Sequence, residues 1–125
     1  MHENEISDKI IECCIKIHKT LGPGLLESVY EECLCFELSK IGLKYQRQLP
    51  VPVVYEDIKF GQGFVADVVV QGKVIIELKS VETVLPVHKK QLMTYLKLTG
   101  KKLGLLINFN CKLLKDGITR VVNDL

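Results

Sequence analysis

Two stretches, Phe64–Val70 and Val74–Val81, are β-branched and apolar almost throughout, and only Gln71-Gly72-Lys73 separates them. Such runs belong to strands buried on both faces, and the short polar break predicts a hairpin at the centre of a sheet. Yet each run carries charge where a buried strand should have none: Asp67 in the first, Glu77 and Lys79 in the second. An ionised group in a sheet interior costs several kcal/mol unless it is paired or bound to metal, so these three residues require a compensating partner.

Glu77 and Lys79 are two apart and share a face of their strand. If residues 71–73 form the connection, Val70 pairs with Val74 and Asp67 falls opposite Glu77, with Cβ atoms about 5 Å apart. A two-residue turn without a bulge would instead put the carboxylates on opposite faces. Two carboxylates at that separation repel. A divalent cation between them relieves the repulsion and gains oxygen ligands of the kind Mg²⁺ takes, and an adjacent lysine polarises a water or offsets transition-state charge. The competing reading is a lysine–carboxylate ion pair that satisfies itself.

Upstream, Ile6, Ile10, Cys14, Ile17 and Leu21 form one helical stripe, ended by Gly22-Pro23-Gly24. A second helix is predicted from about Leu25 to Gly42. Leu49, Val51, Val53 and Tyr55 alternate, and Pro50 and Pro52 assign that strand to an edge. After Pro86, Val87–Thr99 reads as a helix closed by Gly100, and Leu103–Phe109 as a buried strand. Asp116-Gly117, between Leu113-Leu114 and Ile118–Val122, predicts a final hairpin. The order α-α-β-β-β-α-β predicts an α/β (α+β) fold, a mixed central sheet flanked by helices, in a single domain over residues 1–125.

Glu27 opens the second helix, where a carboxylate interacts favourably with the helix N-terminus; its functional reading is a third carboxylate brought to the metal. His88, Gln91 and Tyr95 lie at i, i+3 and i+7 of the third helix, either as solvated surface or as a wall of the site, with Gln91 and Tyr95 positioning water or phosphate.

Charge divides unevenly: residues 1–87 hold nine Lys/Arg and thirteen Asp/Glu, and residues 88–125 hold eight and two. The basic C-terminal third suits a polyanion, with Lys89, Lys90, Lys97, Lys101 and Lys102 as its phosphate contacts; the alternative is ordinary solvation. Five cysteines without a C-x-x-C pair read as reduced, mostly buried thiols. The charged start and the lack of a run of roughly 20 apolar residues predict a cytoplasmic protein that does not enter a membrane.

Gly24-Leu-Leu-Glu27-Ser-Val-Tyr30 resembles the signature of the GxxExxY proteins, a group within the PD-(D/E)xK nuclease superfamily. The resemblance extends over Val51-Pro-Val, Phe64-Val-Ala-Asp67, Ile76-Glu77-Leu-Lys79-Ser-Val-Glu82, Pro86-Val-His88, Gln91-Leu-Met-Thr-Tyr95 and Gly104-Leu-Leu-Ile-Asn-Phe-Asn110. It implies a restriction-endonuclease-like core whose active site comprises Glu27, Asp67, Glu77 and Lys79. Gln91 and Tyr95 match the Q-x-x-x-Y element of the exonuclease-like branch. It implies a metal site at Asp67, Glu77 and Glu27, Mg²⁺ as cofactor with Mn²⁺ as substitute, and hydrolysis of nucleic acid, with DNA as the expected substrate. Val65 stands where the family pattern often has an arginine. Two other functions fit the chain: a nuclease-fold module that binds nucleic acid or a protein without cutting, and a homodimer assembled through the first two helices.

Overall fold

The computed structural model describes all 125 residues. Helices α1 (Glu3–Leu21) and α2 (Glu27–Lys40) precede strands β1 (Tyr45–Tyr55), β2 (Ile58–Val70) and β3 (Val74–Lys79). Helix α3 (Pro86–Thr99), strand β4 (Leu103–Asn108), a 3-10 turn (Leu114–Gly117) and strand β5 (Ile118–Val122) complete the chain. The sheet runs β1-β2-β3-β4-β5. All neighbours are antiparallel except β3 and β4, which are parallel and joined through α3. This is the mixed sheet with flanking helices that the order of elements predicts.

Strand alternation sorts the core into two layers. Val68, Val70, Val74, Ile76, Leu78, Leu103, Leu105 and Ile107 face α1 and α2, where they meet Ile6, Ile10, Cys14, Leu34 and Leu38. Val69, Ile75 and Leu106 face Leu92 and Leu96 of α3. Glu77 and Lys79 share the parity of Ile75, and Asp67 that of Val69, so all three belong to the α3 face. Gly104 permits the close approach of α3, because a Cβ there would lie 2.8 Å from Leu92 side-chain atoms.

The β2–β3 turn has the predicted length. Gln71 and Gly72 both adopt positive φ, Lys73 N–H donates to Val70 O at 3.0 Å, and Val70 pairs with Val74. Two expectations change. The β1–β2 ribbon is longer than the alternation indicated: Ile58, Lys59 and Phe60 pair with the end of β1, and residues 58–63 all remain exposed, so no burial pattern marks them. At the tail, Asp116-Gly117 does not close a hairpin between Leu113-Leu114 and β5. It lies in the 3-10 turn, and β5 pairs with β4 instead, because Ile118 and Val121 extend the packed sheet edge.

All five cysteines are free, with Cys13, Cys14 and Cys35 buried. Burial pushes the Cys35 thiol up to about 11. No helix is long and apolar enough to cross a membrane.

Candidate active site

Gln48, Asp67 and Glu77 occupy one row across β1, β2 and β3. Arg47 and Leu49 pair with Val68 and Ala66, which places Gln48 opposite Asp67, and the β2–β3 register places Asp67 opposite Glu77. Backbone pairing lapses on both sides of Asp67: Gln48 is left out of one ladder, and the other stops at Val68–Ile76. Side chains fill the break. Leu78 N–H donates to Asp67 Oδ2 at 2.9 Å, and Asp67 N–H donates to Glu77 Oε2 at 3.4 Å. The predicted register therefore holds, but the strands part where the carboxylates stand.

The surroundings of Glu77 favour its neutral form in the absence of a cation. Burial is the main cause, a hydrogen bond between the protonated Glu77 carboxyl and the Asp67 side chain comes next, and repulsion from the Asp67 charge adds to them; together they push its pKa up to about 9 despite opposing contributions from the Asp67 N–H and Lys79. Lys79 forms an ion pair with neither carboxylate. That removes the self-satisfied ion pair as an explanation for the buried charge. Two adjacent carboxyl groups with no ammonium in ion-pair contact suit a hard divalent ion, which would displace the Glu77 proton.

Asp67, Glu77, Lys79, Glu27, Gln91 and Tyr95 all line one cavity of about 180 Å³, which also includes His88 and Val65. Glu27 arrives from the opposite layer because its loop is fastened to the end of β3. Tyr30 Oη donates to Gly22 O at 2.6 Å and accepts from Leu25 N–H at 3.1 Å, while its ring stacks on Phe109 at 4.1 Å. Ser80, next to Lys79, donates to Leu25 O at 2.6 Å. The two turns bordering Glu27 and Lys79 are thus tied together. Even so, Glu27 remains exposed at the wall, and no three His, Cys, Asp or Glu side chains converge closely enough to hold an ion. The close acidic pair is Asp67–Glu77, and the expected trio is not assembled.

From α3, His88 Nδ1 accepts Leu85 N–H at 3.1 Å and caps the helix while its ring borders the cavity. Tyr95 stacks on Phe64, with centroids 3.9 Å apart and planes within 2°. Burial and then the charges of Glu77 and Asp67 raise its phenol pKa, so it stays a donor at neutral pH.

The lysines do not act as one patch. Lys90 lines a groove beside the cavity, and Lys89 and Lys97 are exposed on the same helix. Lys101 and Lys102 lie at the opposite end of the sheet, where Lys101 Nζ donates to Gly72 O at 2.8 Å and Lys102 O accepts from Asn123 N–H at 2.9 Å. Phosphates at those two residues would belong to a segment remote from the carboxylates.

Three supporting residues escaped the sequence reading. Gln48 holds φ at 47°, unusual for a residue with a side chain, and its Nε2 donates to Glu31 Oε1 at 2.6 Å and Asp67 Oδ1 at 3.5 Å. Glu31 is buried and receives Arg47 on its other oxygen, at 3.0 and 3.2 Å from Nη2 and Nε. Asn108 bonds both the N–H and C=O of Val81, fixing the chain's exit from β3. The adjacency of Arg47 and Gln48 offered a weak signal, but their pairing with Glu31 spans a whole helix-to-strand connection and has no local signature.

The family model of the PD-(D/E)XK nuclease superfamily matches residues 4–121 of the chain. Neither a curated protein nor a solved structure gives a match.

Proposed function

This chain belongs to the PD-(D/E)XK nuclease superfamily, and on that premise we propose that it is a divalent-cation-dependent nuclease of the GxxExxY group, acting on DNA. The observation that carries the reading is the Asp67–Glu77 pair at the break in the sheet, with the ammonium of Lys79 unpaired beside it. Asp67 and Glu77 would hold the ion, with Glu27 as a further carboxylate at the wall. Mg²⁺, replaceable by Mn²⁺, would supply Lewis-acid stabilisation and lower the pKa of a bound water.

The chain's own residues account for the remaining requirements. Lys79 lines the cavity with its ammonium in no ion pair, free to donate to the attacking water or to a non-bridging phosphate oxygen. Gln91 and the protonated Tyr95 phenol supply neutral donors on the opposite helix, which orient the phosphate without adding charge. Hydrolysis adds water to phosphorus and breaks one P–O ester bond, and the departing oxygen takes up a proton. Gln48 positions Asp67 through its amide, and Tyr30 and Ser80 position the Glu27 turn.

The reading is tested by incubating purified protein with DNA and RNA, single- and double-stranded, in Mg²⁺, Mn²⁺ or chelator. Cutting that requires the ion supports it and identifies the substrate class. Absence of cutting throughout favours a non-catalytic binding module, a reading motivated by Val65, which puts an apolar side chain on the cavity wall.

We further assign residues 1–125 to one domain, and the free thiols fit a reducing cytoplasm. Leu26, at the N-cap of α2, and Phe36 on the helix itself, both well exposed, are the basis for expecting a homodimer, which light scattering across a concentration series would reveal.

A further inference from the structure

We propose that the groove between the β1–β2 ribbon and α3 is a binding site for the unpaired bases of a single-stranded nucleic acid, whose backbone then enters the Asp67–Glu77 cavity. The inference rests on the nuclease reading for its ligand class and extends it to the strand state of the substrate.

The groove encloses about 650 Å³, within the roughly 300–1,000 Å³ of ordinary ligand sites. It adjoins the catalytic cavity, since Gln91 and Tyr95 line both. Its shape comes from the backbone: β1 and β2 slip register between Val51 and Val53, and Gly63 leaves the space that Val53 fills, since a Cβ there would lie 2.0 Å from Val53 Cγ2.

The lining matches bases better than it matches phosphates. Phe60 is half exposed, and Phe64 and Tyr95 already form a parallel stack at 3.9 Å, beginning a series that a flat base would continue. Aromatic faces bind bases of any sequence by stacking. Gln62 and Thr94 place hydrogen-bonding groups among the apolar contacts. A duplex keeps its base faces covered and presents phosphates outward, so it gains little from this surface.

Charge supports the same ligand. Lys90 is the only charged residue in the groove lining, and no carboxylate joins it. The comparable groove between α1 and α2 is lined by Glu32 and Glu37 against Lys16, a balance that repels a polyanion. Of the two apolar grooves, the one whose charge suits a nucleic acid strand is also the one that borders the carboxylate cavity.

The test is fluorescence anisotropy with the 125-residue chain in chelator, which prevents cutting. Labelled oligothymidylate, oligouridylate, an abasic DNA strand of equal length and a blunt duplex serve as probes. The base-bearing strands are expected to bind about tenfold more tightly than the abasic strand and the duplex. Phe60→Ala should remove that advantage and leave duplex affinity unchanged, and Phe60→Leu, which keeps an apolar side chain and removes only the ring, should do the same if Phe60→Ala fails to fold. Comparison of the thymidylate and uridylate strands shows whether the sugar contributes. Equal affinity for base-bearing and abasic strands, binding insensitive to both substitutions, or no binding at all would overturn the inference. Cutting of duplex without any single-strand preference would leave the nuclease reading intact and remove this one. Phe60-dependent binding in a protein that never cuts would do the reverse.

Discussion

Asp67 and Glu77 stand directly across β2 and β3 from each other, and each carboxylate takes a backbone N–H from the other's strand: Asp67 from Leu78 at 2.9 Å, Glu77 from Asp67 at 3.4 Å. These bonds replace the ladder at that row and hold two acids together in a half-buried position.

The pair makes metal-free stability dependent on pH. The Glu77 pKa is about 9 in the folded chain, above the ordinary 4.5, so between these values the folded state binds the extra proton. Stability must then fall as pH rises through that window, on the order of 1 kcal/mol per pH unit at most from this group. Thermal melts in chelator from pH 6 to pH 8 should show the decline, and Glu77→Gln should flatten it. Added Mn²⁺ should raise the wild-type melting temperature more at pH 8 than at pH 6 and leave Glu77→Gln unaffected.

Gln48 separates stability from activity. Its positive φ favours glycine, so Gln48→Gly recovers backbone strain that offsets part of the cost of taking a donor from buried Glu31, and the melting temperature should fall only slightly. Loss of the amide bridge between Glu31 and Asp67 should still lower kcat by about 10–100-fold, the usual effect of removing a group that orients a metal ligand. A variant that lost stability and kept its kcat would show that Gln48 serves the fold alone.

Tyr30→Phe removes one hydroxyl that holds both Gly22 O and Leu25 N–H, so the turn before Glu27 loosens while the ring stack on Phe109 remains. A loss of about 1–3 kcal/mol in urea unfolding is expected. Cleavage should fall no further than in Glu27→Gln, because the hydroxyl acts through the turn that carries Glu27.

Gly104→Ala tests how closely α3 must approach. The new methyl would meet Leu92 at 2.8 Å and push the helix away from β4, displacing Gln91 and Tyr95 with it. A destabilisation of about 1–3 kcal/mol is expected, together with a raised KM.

The sequence reveals most where burial and chemistry conflict. Charge inside the two apolar runs identified Asp67, Glu77 and Lys79, and the length of residues 71–73 gave their register, because pleat and turn are local properties. Residues 58–63 were illegible since a two-stranded ribbon in solvent buries neither face. The tail misled because Asp-Gly reports a local turn and not which strand receives the chain. Gln48 and Glu31 were invisible for a different reason: a hydrogen-bonded bridge between α2 and β1 leaves no periodicity. Lys101 and Lys102 were grouped with Lys89 and Lys90 by proximity in sequence, and the length of α3 separates them.

The most direct measurement compares Mg²⁺-dependent cleavage by the wild type with that of Asp67→Asn, Glu77→Gln and Lys79→Met, purified in parallel, with melting curves for each. Catalysis by this cluster predicts a fall of at least about 10³-fold in all three, with folding retained and Glu77→Gln melting no lower than wild type in chelator at pH 8. Cleavage at the wild-type rate by the folded Glu77→Gln protein would contradict it.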